Sequence, residues 1–423
     1  MTQEFKEYTF DNGLHVALKD TPTRTTYAVL RIKHGSLNER PEEHGIAHFL
    51  EHNLFNGGTR KYSPEEVKQL QSRFGGSNAA TSHDEIYFYA DMVSDRLESF
   101  LDLFSDVVFN PRLDQTVMEQ ERQRVLREIS MKKSKPEFQD FRKFITAFYG
   151  ANSPHTYLNI GKEEIVKSAD VDKLREFHSR GFFANNMELI IAGGLADDTL
   201  AIVQKYFSDA PSGPDSRFSF LPPDRLKRKI AFHVPAPDLI NLERLEESNA
   251  YLELVFQVPA LKDAEAPAIE IVNNISGSDS YSRIFDRISQ KMGLAYIIGS
   301  SYSGFKNNGV MSVIGTIKAT EIYPALDAIF EEFRRLRIEP VSDSELIRTK
   351  DDIEYNLLKS METNPGNVNR YVRERDENFD LDQYAEAIIR VTPKDILEAA
   401  NKHLPTDRES GKYALLIRNP LKE

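Results

Sequence analysis

The stretch His48-Phe49-Leu50-Glu51-His52 (HFLEH), inside the longer run GIAHFLEH at 45–52, is the most informative part of the chain. A helix turns by about 100° per residue, so His48 and His52 stand one turn apart on one face and Glu51 points within about 100° of both. Two neutral imidazoles suit Zn²⁺, whose catalytic shells take three protein ligands and leave the fourth position to water. Glu51 is then placed to take a proton from that water and pass it to a leaving amine, which is the chemistry of peptide hydrolysis. With 10 His among 423 residues, this reverse of the H-E-x-x-H zinc signature arises by chance in about two such chains per hundred. The motif therefore needs support from the rest of the sequence.

A third ligand is required, and Leu113 to Lys132 reads as a long amphipathic helix carrying Glu119, Glu121 and Glu128. Glu121 and Glu128 fall about 20° apart on one face, separated by two turns. One of them can ligate while the other orients a histidine. Alternatively, both pair with Arg122, Arg124 and Arg127 on a solvated face. Spacing alone does not choose.

Three separated motifs, GIAHFLEH at 45–52, Gly75-Gly76 followed by Asn78-Ala79-Ala80-Thr81, and ERQRVLREI at 121–129, together resemble the pitrilysin or insulinase type of zinc metallopeptidase. The similarity is greatest to its short processing-peptidase-like branch and runs nearly end to end. In that family the third ligand lies seventy-odd residues beyond the second histidine, and Glu128 lies 76 beyond His52. The resemblance thus assigns His48, His52 and Glu128 to one Zn²⁺ per chain, with Glu121 as the supporting carboxylate. It implies an α+β fold of two duplicated α/β-roll halves, each a mixed sheet covered by helices, facing each other as a clam shell with substrate between them. It also implies that Asn78, Ala79 and Ala80 form a strand edge beside which an extended peptide lies, and small side chains after a Gly-Gly turn permit that approach. The competing reading is an internal strand paired on both sides.

The family further uses an Arg and a Tyr, seven apart in the second half, to hold the substrate carbonyl and its oxyanion. Here 289–296 reads SQKMGLAY, so Tyr296 is present but Ser289 occupies the arginine position, with Arg287 and Lys291 close by. Either a neighbouring cation compensates or, by resemblance, the chain is the zinc-bearing half of a heterodimer whose homologous subunit supplies the Arg/Tyr pair. A homodimer is the other arrangement.

Pro211-Ser212-Gly213-Pro214-Asp215 through Pro222-Pro223 and a basic run mark an interdomain linker, dividing the chain into 1–210, 211–230 and 231–423. The two halves read alike. The first has a hairpin about Asn12-Gly13, a strand near Tyr27 to Lys33, the histidine helix near Glu43 to Phe55, a helix near Ser63 to Arg73, strands within Ser77 to Asp91, helices from Asp95 and Leu113, and a strand at Met187 to Ala192. The second has a strand near Tyr251 to Val258, helices near Ala264 to Ser276 and Tyr281 to Lys291, strands about Asn307-Asn308-Gly309, helices near Ile322 to Leu336 and Ser342 to Leu358, and a strand at Tyr413 to Ile417. An internal duplication explains this order. The second copy of the histidine helix reads Ala268 to Asn274 (AIEIVNN) and holds no histidine.

Composition is that of a globular protein, 40% hydrophobic and 28% charged. A net charge of −12 argues against a nucleic-acid surface. No apolar run is long enough for a membrane span, and the opening MTQEFKEYTF is neither a signal nor a transit sequence, so a cytoplasmic location is expected. With no cysteine, only His and carboxylate remain as strong metal ligands. His44 and His83 read as surface or hydrogen-bonded histidines, Ile86 to Tyr89 as strand packing, and Tyr371 to Asp380 as a solvated helix end. The expectation is a zinc endopeptidase acting on peptides or unfolded segments in a closing chamber. A different class of function is a non-catalytic structural or binding subunit of a processing-peptidase-like complex. A third is a scaffold with structural zinc, which leaves Glu51 unexplained because structural sites are closed by four protein ligands.

Overall fold

Gly13, at φ +85°, turns strand β1 (Lys6–Thr9) back onto β2 (His15–Asp20), and the Asn12 carboxamide ties that turn to the carbonyls of Phe207, Ser208 and Ala210. A left-handed residue at this point is what a tight hairpin requires. The hairpin opens the first sheet of the computed structural model, which describes residues 4–150, 153, 156–214, 230–236, 239, 247–409 and 411–421. Residues 215–229, most of the expected linker, lie outside the described residues.

The first sheet continues with β3 (Thr25–Ile32), β4 (Gly76–Thr81), β5 (Ile86–Val93) and β6 (Met187–Gly193), in the spatial order β1-β2-β6-β3-β5-β4. β5 alternates buried and partly exposed positions, as a strand with one face on a core must. Ile86, Phe88, Ala90 and Met92 point to the same core as Leu30 and Ile32 of β3. Helices α1 (Ile46–Asn56), α2 (Pro64–Gln71), α3 (Leu97–Phe109) and α4 (Gln115–Lys133) cover that face, burying Phe49, Leu50, Leu54, Phe100, Phe104, Met118 and Val125. Among the described residues β4 has no second pairing: it bonds β5 alone and forms the outer edge of its sheet. The internal-strand reading of 76–81 is thereby set aside.

Helix α5 (Pro136–Tyr149) is followed by α6 (Glu163–Ser168), α7 (Val171–Gly181) and α8 (Thr199–Phe207). The second sheet consists of β7 (Ile230–Pro235), β8 (Asn249–Val258), β9 (Ala295–Gly304), β10 (Gly309–Lys318) and β11 (Ala414–Asn419), ordered β7-β11-β8-β10-β9. Setting β1 aside, this is the order of the first sheet. The pairing senses match too, parallel for β2 with β6 and for β7 with β11, antiparallel elsewhere. The duplication expected from the sequence is therefore seen strand for strand.

The second core lies under α9 (Ala266–Asn273), α10 (Ile322–Ile338) and, later in the chain, α14 (Pro393–His403). The expected helix at 281–291 is a π-helical turn at Phe285–Lys291, and α9 also runs into such a turn at Asn274–Ser278. After α11 (Asp343–Ser360) come α12 (Asn364–Glu377) and α13 (Leu381–Arg390), neither of which the sequence reading delimited. Among the described residues no helix is long and apolar enough to cross a membrane.

The two compact units are not contiguous in sequence, which alters the simple division at 211–230. The first comprises Met1–Lys135, Tyr157–Phe220 and Ser360–Tyr371, and the second comprises Pro136–Thr156, Leu221–Lys359 and Val372–Glu423. Packing explains the exchange. Phe144 and Phe148 of α5 lie on Val255, Ala414 and Leu416, the face of the second sheet away from its main core. Asn364 bonds Thr21 and the Thr25 carbonyl, Asn367 accepts from Lys19, and Tyr371 meets His15 at 2.6 Å, all within the first unit.

Buried Asp140 of α5 faces Arg418 of β11 at 3.1 Å. Asp140→Ala withdraws one carboxylate from an interior guanidinium and is expected to cost about 3 kcal/mol or more, read as a lowered denaturant midpoint. A loss near the value for exposed pairs, about 0.5 kcal/mol, would show that α5 is not anchored through this pair.

Candidate metal centre

The histidine helix starts where Gly45, at φ +114°, admits a turn that few other residues adopt. Its apolar side, Ile46, Phe49, Leu50 and Leu54, goes into the first core, so the spacing of the motif carries His48 and His52 to the side that meets α4. The two rings are 4.8 Å apart by centroid and set edge to face. Glu128 Oε2 lies 3.6 Å from His48 Nε2 and 3.7 Å from His52 Nε2. The edge of a tetrahedral zinc shell is about 3.4 Å, given metal–nitrogen bonds near 2 Å. The three donors fit that shell, and among the described residues they are the one cluster of His and carboxylate groups close enough to share a cation.

Glu121, on the same face of α4, is almost wholly buried, and its Oε2 is 3.2 Å from His52 Nδ1. That contact fixes the tautomer with the proton on Nδ1 and leaves Nε2 free to donate its lone pair. Asn56 also donates to Glu121 Oε2, and Arg124 donates to Oε1 at 2.6 Å. The suggested pairing of the α4 arginines with both glutamates is thus only partly met. Arg122 turns away to Glu119 and the carbonyls of Val166 and Ala169, while Glu128 takes Lys132 at 3.1 Å through its other oxygen.

Electrostatics prepare each group for its place. Burial, with His52 and Lys132 adding to it, pushes His48 down to about 4, so the ring is neutral near pH 7. Burial also lowers the basicity of His52, but the Glu121 hydrogen bond and the charges of Glu51, Glu121 and Glu128 outweigh it and raise the group. Surroundings that favour a proton there favour a metal cation for the same reason. Burial works against ionisation of Glu128, yet His48 and Lys132 hold its carboxyl below the usual range. Glu51 is the opposite case, since burial pushes it up to about 7, against a hydrogen bond from Thr81 at 3.3 Å.

Thr81 ends the edge strand β4, on which Asn78 is exposed, Ala79 is turned into the core and Ala80 is half-buried. Helix α1 packs against this strand. His48, Glu51, His52, Glu121 and Glu128 are therefore assembled in one place, with the strand of Asn78, Ala79 and Ala80 alongside. Tyr296 belongs to the second unit, on β9, and is 90% exposed. Near it in sequence, Arg287 is paired with the buried Glu332 at 2.8 Å and so is engaged elsewhere, whereas Lys291 meets Asp286 at 2.6 Å in an exposed pair of the kind that binds only weakly. His83 bonds the Tyr157 carbonyl and His44 packs edge-on against the Tyr157 ring. From the sequence Thr81 was read only as the end of a strand motif, with no contact to Glu51, and Asn56 was not singled out. Asn56 follows His52 by one helical turn, which was a usable signal.

Two family models match. The one described as Insulinase (Peptidase family M16) covers residues 15–155, and Peptidase M16 inactive domain covers 168–353. The chain is 28% identical over 369 residues to "Uncharacterized zinc protease YmxG" of Bacillus subtilis (strain 168), 86% of each being covered. It is 26% identical over 419 residues to an "Uncharacterized zinc protease" of Rickettsia felis, 95% of each being covered. A protease from Helicobacter pylori shares the fold with a TM-score of 0.82 at 19% identity, over 99% of this chain and 100% of that one. So does a peptidase M16 inactive domain from Pseudomonas fluorescens, with a TM-score of 0.83 at 19% identity over 99% of both.

If the three donors share one ion, the purified chain carries one zinc by elemental analysis, and Glu128→Gln loses it on dialysis. Glu121→Ala, which leaves the donors in place, is expected to weaken zinc by about 10- to 100-fold. Retention of full zinc by Glu128→Gln would show that the donors bind separately or not at all.

Proposed function

We propose that this chain, which belongs to the insulinase family of peptidases (M16), is a zinc-dependent endopeptidase that cleaves peptides or unfolded segments. The observation that carries this reading is the convergence of His48, His52 and Glu128 beside a buried, otherwise unused Glu51. Zinc held there supplies the Lewis acidity that polarises a peptide carbonyl and acidifies water. Glu51 takes the proton of the attacking water and delivers it to the departing nitrogen, and burial suits it to both, since a carboxyl near neutrality gains and loses a proton with little cost. Thr81 holds one oxygen of Glu51. The open edge of β4 can accept an extended peptide as an added strand, with main-chain hydrogen bonds giving loose sequence preference.

A non-catalytic role is less well supported. The match described as an inactive domain begins at residue 168, whereas all five site residues fall in the other match. A fold shared with an inactive domain decides nothing about residues on α1 and α4.

Ser289 and the engagement of Arg287 by the buried Glu332 support a homologous partner subunit that supplies an Arg/Tyr pair, with Tyr296 contributing if the chain acts alone. The purified chain is then expected to cleave a quenched peptide slowly and to speed up when such a subunit is added. Full activity from a monomer removes the need for the partner.

Glu51→Gln, run in the same assay, should keep its zinc and lose turnover by about 10²- to 10⁴-fold. Equal cleavage by variant and native chain would show that Glu51 is not the base.

A further inference from the structure

The two histidines are held by different means. His52 has its Nδ1 fixed by Glu121, whereas His48 Nδ1 is buried with no hydrogen-bond partner among the described residues. The His48 ring is therefore placed by its own backbone and packing. That backbone is the third residue of α1, in the turn most prone to fray because its N–H groups have no carbonyl inside the helix. The residue at the cap position, Gly45, has no side chain to close them.

The closure comes from upstream. Glu39 Oε1 accepts the N–H of Gly45 at 3.0 Å and of Ala47 at 2.8 Å. Burial pushes the Glu39 carboxyl up to about 8, so near pH 7 it serves this turn as a hydrogen-bond acceptor more than as a charge. The loop that carries Glu39 is itself secured: Ser36 N–H bonds the Ser82 carbonyl and Leu37 N–H the His83 carbonyl. Asn159 then joins the Ser36 hydroxyl to the Thr81 carbonyl, at the strand end whose hydroxyl reaches Glu51. On the other side Gly45 lies against Gly161, where an added Cβ would come within 2.0 Å of the Gly45 Cα. The turn before α1 is thus clamped between two backbones, and Glu39 is the group that carries this rigidity into the first helical turn.

We propose that Glu39 is a positioning residue for the metal centre, capping the first turn of α1 and so setting where His48 presents Nε2. The inference rests on the zinc reading above. Its test is zinc affinity, measured on the full chain by competition with a chromophoric chelator. Glu39→Ala is expected to weaken binding by about 10- to 100-fold, the range of groups that orient a ligand from behind. Glu39→Gln, which keeps an acceptor oxygen, recovers most of that affinity. Asp170→Ala is the control, because it removes a cap from α7 by the same chemistry, the Asp170 carboxylate accepting from Lys173 N–H at 2.9 Å. It should lower the unfolding midpoint and leave zinc affinity unchanged. Zinc bound by Glu39→Ala as tightly as by the native chain overturns the proposal, as does an equal loss in Asp170→Ala. Should Glu39→Ala not fold, Glu39→Asp, with its carboxyl drawn back by one methylene, is read in the same way. A native chain that takes no zinc removes the metal reading itself, whereas tight binding by both native chain and Glu39→Ala removes this inference alone.

Discussion

The separation of α1 from α4 is the dimension on which the centre depends. One helix brings two imidazoles and the other brings two carboxylates, and neither set is of use unless Glu128 Oε2 stays within about a bond-pair's reach of both Nε2 atoms. That distance is not set by the site residues. It is set by Phe49, Leu50, Leu54, Met118 and Val125, which pack in one core, and by Arg122, whose guanidinium lies over the Phe49 ring while it caps the carbonyls that end α6. Close-packed interiors resist small displacements, so the core fixes the ligand gap as a consequence of ordinary packing.

Much of this was legible in the chain because it is local. The i, i+4 spacing of His48 and His52 needs only a helix, and the α4 pair Glu121 and Glu128 needs only a second one. The choice between those glutamates was not local. Geometry separates them by depth: Glu121 is buried against His52 Nδ1, while Glu128 reaches the opposite nitrogen of both rings. The edge position of β4 was likewise beyond a strand pattern, since alternation shows which side chains face a core and says nothing about how many neighbours the backbone has.

Other elements were hidden for identifiable reasons. The 364–377 helix buries Asn364 and Asn367 as well as Val368 and Tyr371, so a reading keyed to apolar periodicity sees a solvated segment where the structure has an anchored one. Helix α5 shows the opposite difficulty. Phe144 and Phe148 give a clear apolar stripe, but a stripe does not say which sheet receives it, and here it joins the unit built from the other half of the sequence. The π-helical turns at 274–278 and 285–291 carry helical composition with a different hydrogen-bond spacing, which propensity does not distinguish.

The duplicated halves give a direct comparison of what the histidine helix requires. In the second copy Glu270, Asn273 and Asn274 have the same i, i+3, i+4 spacing that His48, Glu51 and His52 have in the first. Both helices therefore turn three polar groups toward the protein, an arrangement that costs free energy unless those groups find partners. The second copy resolves this for two of the three, with the Asn274 carboxamide donating to the Glu270 side chain and its carbonyl and burial favouring the uncharged form of Glu270, while the buried Asn273 Oδ1 has no hydrogen-bond partner among the described residues. In the first copy the same spacing holds groups that do not satisfy one another: two imidazoles with their Nε2 atoms converging, and a carboxyl whose hydrogen bond comes from a neighbouring strand. A divalent cation is a partner that would satisfy such a set, so the fold tolerates either solution and the side chains at three positions decide which half offers a metal-binding cluster.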